Sequence, residues 1–337
     1  MLPSAIIPTP WPTIQVLPSP VAAPPMPAGP QPFMGTPQRP VPAMTETVPL
    51  AGQPLLPSAP FIDVQPAATP APGQPVTILL LGHDQRPDEY TVTRTDAIML
   101  VRIDPKSQRV ATLSLPRDLW VDIPGYGYNR INTAYQTGEV YGGRGYGLHL
   151  AAQTVYQLLG LRIDYVFLIG FDGFTNLIDQ IGGITVNVEK ELYDTEFPTM
   201  DYGYTTVHFL PGPQYMDGTT ALIYSRIRHP DSDFERIQRQ QAVIIGIAAR
   251  LRERGDLENL LAADQLTSAL RDFVRTDMPK DRILDMVWAM RNLDVTSIQR
   301  FVLTPDSVVA GVGNDTFALV PSPAALNRLV QQFLGNE

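Results

Sequence analysis

The sequence predicts an α/β domain with helices packed on a sheet, and three observations carry that expectation. Short apolar runs such as "VTILLLG" (76–82) end at glycine or polar turns, as buried strands do. Segments with helical spacing and capping residues alternate with these runs. A first stretch belongs to neither kind: residues 1–75 hold 22 of the 34 prolines and only three charged residues, Arg39, Glu46 and Asp63. Proline fixes φ and removes a backbone donor, so this stretch reads as a disordered or semi-rigid tether. Residues 76–337 read as the folded domain, with its core motifs in 76–254 and a helical C-terminal part in 255–337. At about 262 residues it can bury a sizeable core as one unit.

"VTILLLG" opens the sheet. "AIMLVRID" (97–104) and "RVATLSL" (109–115) flank "PKSQ" and are expected to form an antiparallel hairpin. The start of one hairpin strand and the end of its partner share an edge, which sets Asp96 beside Pro116, Arg117 and Asp118. If strand 76–82 also ends there, the loop "HDQRPDEYTVTRTD" (83–96) adds Asp84, and Asp84, Asp96 and Arg117 converge. A helix is expected over 147–160, a strand over 163–170, a helix over 172–183 with Asp172 as N-cap, and a strand over 184–188. Further on, helices are expected at 256–271, 280–291 and 322–334, with a strand at 298–303.

Composition excludes several functions. A formal net charge of -9 argues against nonspecific DNA binding, which needs a basic face, so no nucleic-acid partner is expected. The absence of cysteine excludes disulfides, thiolate metal sites and cysteine nucleophiles, and leaves the compartment open. The first basic side chain is Arg39 and prolines interrupt each early apolar stretch, so neither a signal nor a membrane-spanning run is visible. Of 25 lysines and arginines only Lys106, Lys190 and Lys280 are lysines. Arginine's planar fork suits phosphate, although a G+C-rich genome produces the same bias.

Four arginines gather in "YSRIRHPDSDFERIQRQQ" (224–241). From Asp233 onward the chain fits a helix with Ile237, Ile244, Ile247, Ala248 and Leu251 on one arc, and Arg236, Arg239 and Gln240 on or beside it. A guanidinium turned toward the core at a helix's first turn needs an anion, and the free N–H groups there add positive potential. Arg226 and Arg228 are expected in an extended segment, on the side opposite Ile227. A multivalent anion explains this convergence, and internal salt bridges to Asp231, Asp233 and Glu235 are the alternative. Asp84 and Asp96 each have an arginine two residues away, Arg86 and Arg94. Two such carboxylates suit a hard cation shared with phosphate oxygens, namely Mg²⁺ or, in its place, Mn²⁺, and the bland alternative is two surface ion pairs. His83, beside a strand end, reads as hydrogen-bonded rather than as a ligand.

With these residues in view, the chain resembles the LytR-CpsA-Psr family of cell-envelope phosphotransferases. The segments "ILLLGHDQR", "RTDAIMLVRID", "LSLPRDLWVDIPG", "NRINTAY", "IDYVFLIGFDGFTNLIDQIGGITVNV", "LPGPQYMDGTTALIYSRIR" and "DFERIQRQQ" come in the family's order and approximate spacing. The resemblance implies a three-layer α/β/α fold with a mixed central sheet and an apolar tunnel for an isoprenoid tail. It implies transfer of a glycopolymer from a polyprenyl-pyrophosphate carrier to peptidoglycan or another envelope acceptor, at the membrane surface on the extracytoplasmic side. Residue by residue, it assigns metal binding to Asp84 and Asp96, and the pyrophosphate clamp to Arg117, Arg226, Arg228, Arg236, Arg239 and Gln240. Asp233 matches an acidic residue suggested as a base, and Arg86, Arg94 and Arg130 match basic positions of the site. Members begin with a short cytoplasmic piece and one membrane helix, which this chain does not show; its proline-rich stretch would suit a link from membrane to domain. A pyrophosphatase on the same lipid, or a non-catalytic binding or regulatory envelope protein, are the alternative readings.

Overall fold

The structure, a computed structural model, describes residues 70–71, 73–84, 92–199, 203–228, 232–254, 274–289 and 292–336. Most of the expected tether, the helix expected over 256–271, and Arg86 lie outside the described residues. Arg282 donates to the Pro70 carbonyl at 2.8 Å, so packing begins ahead of residue 76.

The apolar runs become β1 (Val76–His83), β2 (Thr95–Asp104) and β3 (Arg109–Ser114). β2 and β3 form the expected hairpin. Asp104 closes it by accepting from the Lys106 and Ser107 N–H groups, an Asx turn, while Gln108 takes a φ of 51°. A second hairpin, not anticipated, follows as β4 (Trp120–Ile123) and β5 (Gly127–Arg130). A short α1 (Ala134–Thr137) leads to α2 (Tyr146–Leu159), which ends at Gly160 with φ 65°. Next come β6 (Tyr165–Ile169), α3 (Phe171–Gln180) and β7 (Ile184–Val188). Gly170, not Asp172, is the N-cap of α3, because the helix starts as soon as the chain leaves β6. Asp172 sits in the first turn instead, where its charge still favours the positive helix end.

β8 (Leu192–Pro198) pairs with β9 (Tyr204–Phe209), and β10 (Gly212–Met216) pairs with β7. α4 (Gly218–Arg226) corrects the extended segment expected around Arg226. Asp217 caps it by accepting from the Thr220 N–H at 2.8 Å, and the helix runs through Arg226 before Ile227 turns extended. α5 (Asp233–Arg254), β11 (Val274–Thr276), α6 (Lys280–Ala289) and β12 (Gln299–Val302) follow. A hairpin of β13 (Val308–Val312) and β14 (Asp315–Pro321) precedes α7 (Pro323–Leu334), which Ser322 caps and Gly335 ends.

The central sheet runs β11-β6-β1-β2-β3-β12 and is mixed: β1 and β6 are parallel, as are β3 and β12, and the other pairs are antiparallel. Side chains alternate across it. Leu79, Leu81, Leu100 and Leu113 face α2 and α7 and pack against Leu150, Val155, Leu329 and Phe333. On the opposite face Ile78 and Tyr165 meet Met286 of α6, and the buried Gln241 of α5 donates to Ser114 Oγ at 3.0 Å and to the Phe301 carbonyl at 2.8 Å. The result is three layers, helices on both faces of one sheet. A separate cluster around Ile178, Val186, Phe209, Met216 and Val243 joins α3, α4 and α5 to β7 and β10. Among the described residues no helix is long and apolar enough to cross a membrane.

Register decides where polar groups collect. His83 pairs with Thr95, and Met99 pairs with Ser114, so β1 ends, β2 starts and β3 ends at one edge.

Candidate functional site

That edge opens into a cavity of about 370 Å³ lined by Asp84, Arg94, Asp96, Arg117, Asp118 and Arg130, with Asn132 and Gln136 beside them. Arg117 reaches it from the turn after β3, where the Leu119 N–H returns to the Pro116 carbonyl at 3.2 Å. Its Nη1 is ion-paired with Asp96, and its Nε lies 3.6 Å from Asp118 and 3.8 Å from Asp233. Burial opposes the Arg117 charge, but Asp96, Asp233 and Asp118 outweigh it and raise the pKa above the ordinary arginine value. Asn132 donates to the other Asp96 oxygen at 3.4 Å.

Arg236 comes from the first turn of α5 and is 5% exposed. It donates to the Asp96 carbonyl at 3.3 Å and pairs with Asp233 at 2.8 Å. Burial holds its pKa below the ordinary value, and the nearby Arg117 and Arg228 push the same way against Asp233 and Asp96. The Nε–H groups of Arg117 and Arg236 are buried with no hydrogen-bond acceptor. Leaving one such donor unmade costs about 1–3 kcal/mol, more when it is charged. Arg282, outside the cavity, buries an Nε–H in the same way, and Arg117 Nε already faces Asp118 and Asp233, so it is the convergence of Arg117 and Arg236 on one site that suits an anion.

The remaining arginines divide. Arg94 is exposed on the cavity wall, and Arg228 is exposed beside Arg236. Arg226 stacks over the rings of Phe171 and Phe197, 4.6 and 5.2 Å from their centroids. Arg239 is buried and donates to the Ile227 carbonyl, tying α5 to the end of α4. Gln240 is half-buried, while its neighbour Gln241 makes the sheet contacts. Arg130 is held by Asp118 at 2.7 Å and by both oxygens of Asp315 on β14; the Asp315 bond does most to raise its pKa.

The acidic residues divide as well. The Ser232 hydroxyl accepts from the Glu235 N–H at 3.4 Å and Glu235 Oε2 accepts from the Ser232 N–H at 2.8 Å, a capping box. Ser232 therefore caps α5, and Asp233 is left to the arginines. Glu235 also binds Lys190 at 2.6 Å, and these bonds, the Lys190 one first, lower its pKa to about 2. Of the acids weighed as internal partners for the arginines, Glu235 is thus engaged elsewhere and Asp231 lies outside the described residues.

Asp84 and Asp96 present hard oxygen donors to one cavity, a donor set that fits Mg²⁺ or Mn²⁺. Among the described residues no group of three or more histidine and carboxylate side chains could cage an ion alone, so an ion there would complete its shell from phosphate or water. Sequence reasoning placed Asp118 at this edge without giving it a role, and it passed over Asn132 and Asp315. Asp118 and Asn132 stood next to residues it had singled out, whereas Asp315 had no local signal, being 185 positions from its partner Arg130.

A three-layer α/β domain whose sheet-edge cavity gathers arginine donors and carboxylates defines a class of protein equipped to hold a polyvalent anion. This chain belongs to the LytR_cpsA_psr family, whose model matches residues 57–326. Over 216 residues it is 32% identical to the polyisoprenyl-teichoic acid–peptidoglycan teichoic acid transferase TagU of Bacillus cereus (strain AH820), covering 63% of this chain and 64% of that protein. It is 34% identical over 210 residues to the TagU of Oceanobacillus iheyensis, covering 62% of this chain and 60% of that one. The chain thus spans about 60–64% of the length of these relatives. Among solved structures it is similar to B. subtilis TagV, with a TM-score of 0.63 at 24% identity over 78% of this chain and 98% of that one. It is also similar to TagT bound to LI-WTA, with a TM-score of 0.60 at 26% identity over 79% of this chain and 93% of that one.

Proposed function

We propose that this protein is an envelope phosphotransferase that moves a glycopolymer from a polyprenyl-pyrophosphate carrier to peptidoglycan or another envelope glycan. The observation that carries the reading is the convergence of the largely buried Arg117 and Arg236 on Asp96 and Asp233 beside the sheet-edge cavity. The relatives named as teichoic acid transferases support the same chemistry, and the reading sets its site of action on the extracytoplasmic side of the membrane surface. The lipid tail is assigned to the sheet face where Leu80, Ile103 and Phe167 are only partly buried.

In this reading an acceptor hydroxyl attacks the glycan-bearing phosphorus. A phosphorus–oxygen bond forms to the acceptor, the phosphoanhydride bond breaks, and polyprenyl phosphate leaves with the electron pair. Asp233 takes the hydroxyl proton. Arg117 and Arg236 neutralise charge on the phosphoryl oxygens, with Arg94 and Arg228 at the exposed side; protein catalysis of this step is mostly positioning and electrostatics. Asp84 and Asp96 would hold Mg²⁺, which supplies further charge neutralisation at the diphosphate.

The test supplies purified protein with a synthetic polyprenyl-pyrophosphate glycan and a soluble glycan acceptor, with and without divalent metal. Glycan-phosphate product on the acceptor, formed only with metal and reduced about a hundredfold or more in Asp96→Ala, is the expected result. Product released to water regardless of acceptor would make the protein a pyrophosphatase. Tight donor binding without turnover would make it a binding protein, and a folded, fully active Asp96→Ala protein would remove the metal role.

A further inference from the structure

We infer that the outer face of the β4–β5 hairpin, with the loop ahead of α2, is an aromatic platform that seats the acceptor glycan. This rests on the transfer reading and names the subsite that reading leaves open. Val121 and Ile123 are 4% and 1% exposed and point into the core, so strand alternation turns Trp120, Asp122, Tyr128 and Arg130 outward. Trp120 sits opposite Arg130, and Asp122 opposite Tyr128. Tyr128 is 67% exposed, and at the hairpin turn the Tyr126 ring stands 6.0 Å from that of Tyr141, itself 75% exposed. Arg130 also lines the cavity, so this aromatic face begins where the cavity wall ends.

The chemistry of the face selects its occupant. Exposed rings interleaved with polar groups, rather than fused into one apolar patch, suit a ligand that is itself part apolar and part hydroxylated. A sugar offers its C–H face, of positive partial charge, to the negative face of a ring. Its hydroxyls would meet Asp122 and Gln157, which are bonded to each other at 2.8 Å on the exposed surface. An anionic lipid surface fits less well. Asp122 lies on the face, Arg130 is already held by Asp118 and Asp315, and the loop leaves Arg144 as its one exposed charge, the Glu139 carboxylate being buried against the Gly145 and Gly147 N–H groups. A glycan lying on Tyr128 would extend past Arg130 and bring a hydroxyl to the cavity mouth.

The experiment titrates the full chain with a soluble, uncharged β-1,4-linked N-acetylhexosamine tetrasaccharide and follows backbone amide shifts. Shifts are expected at residues 126–130 and 138–145, with affinity reduced about tenfold in Tyr128→Ala and in Tyr141→Ala and retained in Tyr128→Trp. Wild-type affinity in both alanine variants, or no binding by the intact protein, overturns the inference. So does loss of binding to anionic phospholipid vesicles in those variants with glycan binding intact, which marks a membrane face instead. Donor consumption is measured on the same proteins. If none consumes donor while glycan binding follows the tyrosines, the transfer reading fails and the platform stands.

Discussion

Asp233 and its neighbours show two tasks separated within one helical turn. Ser232 and Glu235 satisfy the exposed N–H groups of α5, which frees the Asp233 carboxylate for Arg236 and Arg117. Ser232→Ala should therefore lower stability by about 1 kcal/mol in urea denaturation while transfer continues. Asp233→Asn keeps an oxygen for Arg236 but loses the charge and the proton acceptor, and transfer is expected to fall by about a hundredfold or more. Wild-type turnover in a folded Asp233→Asn protein would take Asp233 out of the chemistry. Glu235 adds a pH dependence of known sign. Its carboxyl is held down to about 2 by Lys190 and Ser232, so its contribution is fully present above the ordinary value of 4.5 and is lost as pH falls toward 2. The group is largely exposed and solvent screening keeps the effect small. Thermal unfolding of Glu235→Gln should lose less stability than wild type between those two pH values.

At the scale of elements, α4 reaches its place because its first residue has no side chain. A Cβ on Gly218 would lie 2.2 Å from the Thr175 carbonyl oxygen and 2.6 Å from the Thr175 Cα, which is backbone of α3 and cannot step aside. Gly218→Ala should push the two helices apart at a cost of about 2 kcal/mol, read from the urea midpoint. Because α4 carries Arg226 and leads to Arg228, the same variant is expected to weaken donor binding. This helix also marks a boundary of what the sequence made legible. β1, β2 and β3 were readable because apolar runs bounded by polar turns leave few ways to pair, and the convergence of Asp96 with Arg117 followed from the hairpin alone. "GTTALIYSR" mixes β-branched residues with helix formers over nine positions, too short for a period of 3.6 to stand out from one of 2. Asp217 was the one local sign of a helix start there. In α5 the periodicity placed Ile237 in the core, but Val243 and Gly246 are buried outside the expected arc while Ile244, Ile247, Ala248 and Leu251 are only partly buried, and Gln241 rather than Gln240 meets the sheet. Neighbouring positions differ by 100°, and a wheel phased on aliphatic residues alone resolves no finer.

On the scale of the whole molecule, the cavity draws on strand ends, the β4–β5 hairpin, the first turn of α5 and the distant β13–β14 hairpin. Sequence proximity carries the first two, whereas only the fold brings in α5, whose Arg236 is 140 positions from Asp96, and the β13–β14 hairpin, whose Asp315 is 185 positions from Arg130. β14 is laid along β4 by the Leu319 N–H donating to the Asp118 carbonyl at 2.9 Å, and Asp315 then closes on Arg130. Asp118 touches both Arg130 and Arg117, so a chain of charges runs from the hairpin through Asp118 to Asp96. Among the described residues Asp315 makes no contact with Asp96, Arg117, Asp233 or Arg236, so its route to the reacting centre is through Arg130 and Asp118. Removing its charge frees Arg130 to draw Asp118 away from Arg117, which should slow transfer about three- to tenfold without changing which acceptor is used. A double-mutant cycle tests this against a merely local role: Asp315→Asn and Arg130→Met should be strongly non-additive in turnover, the double variant being no slower than Arg130→Met alone. The pH profile gives a second reading. Arg130 holds the Asp315 carboxyl below its ordinary value, so the contribution of this link persists to lower pH in wild type than an unpaired aspartate would allow. The acid-side loss of that contribution should be absent from the Asp315→Asn profile, and additive single effects with an unchanged profile would confine Asp315 to its own hairpin.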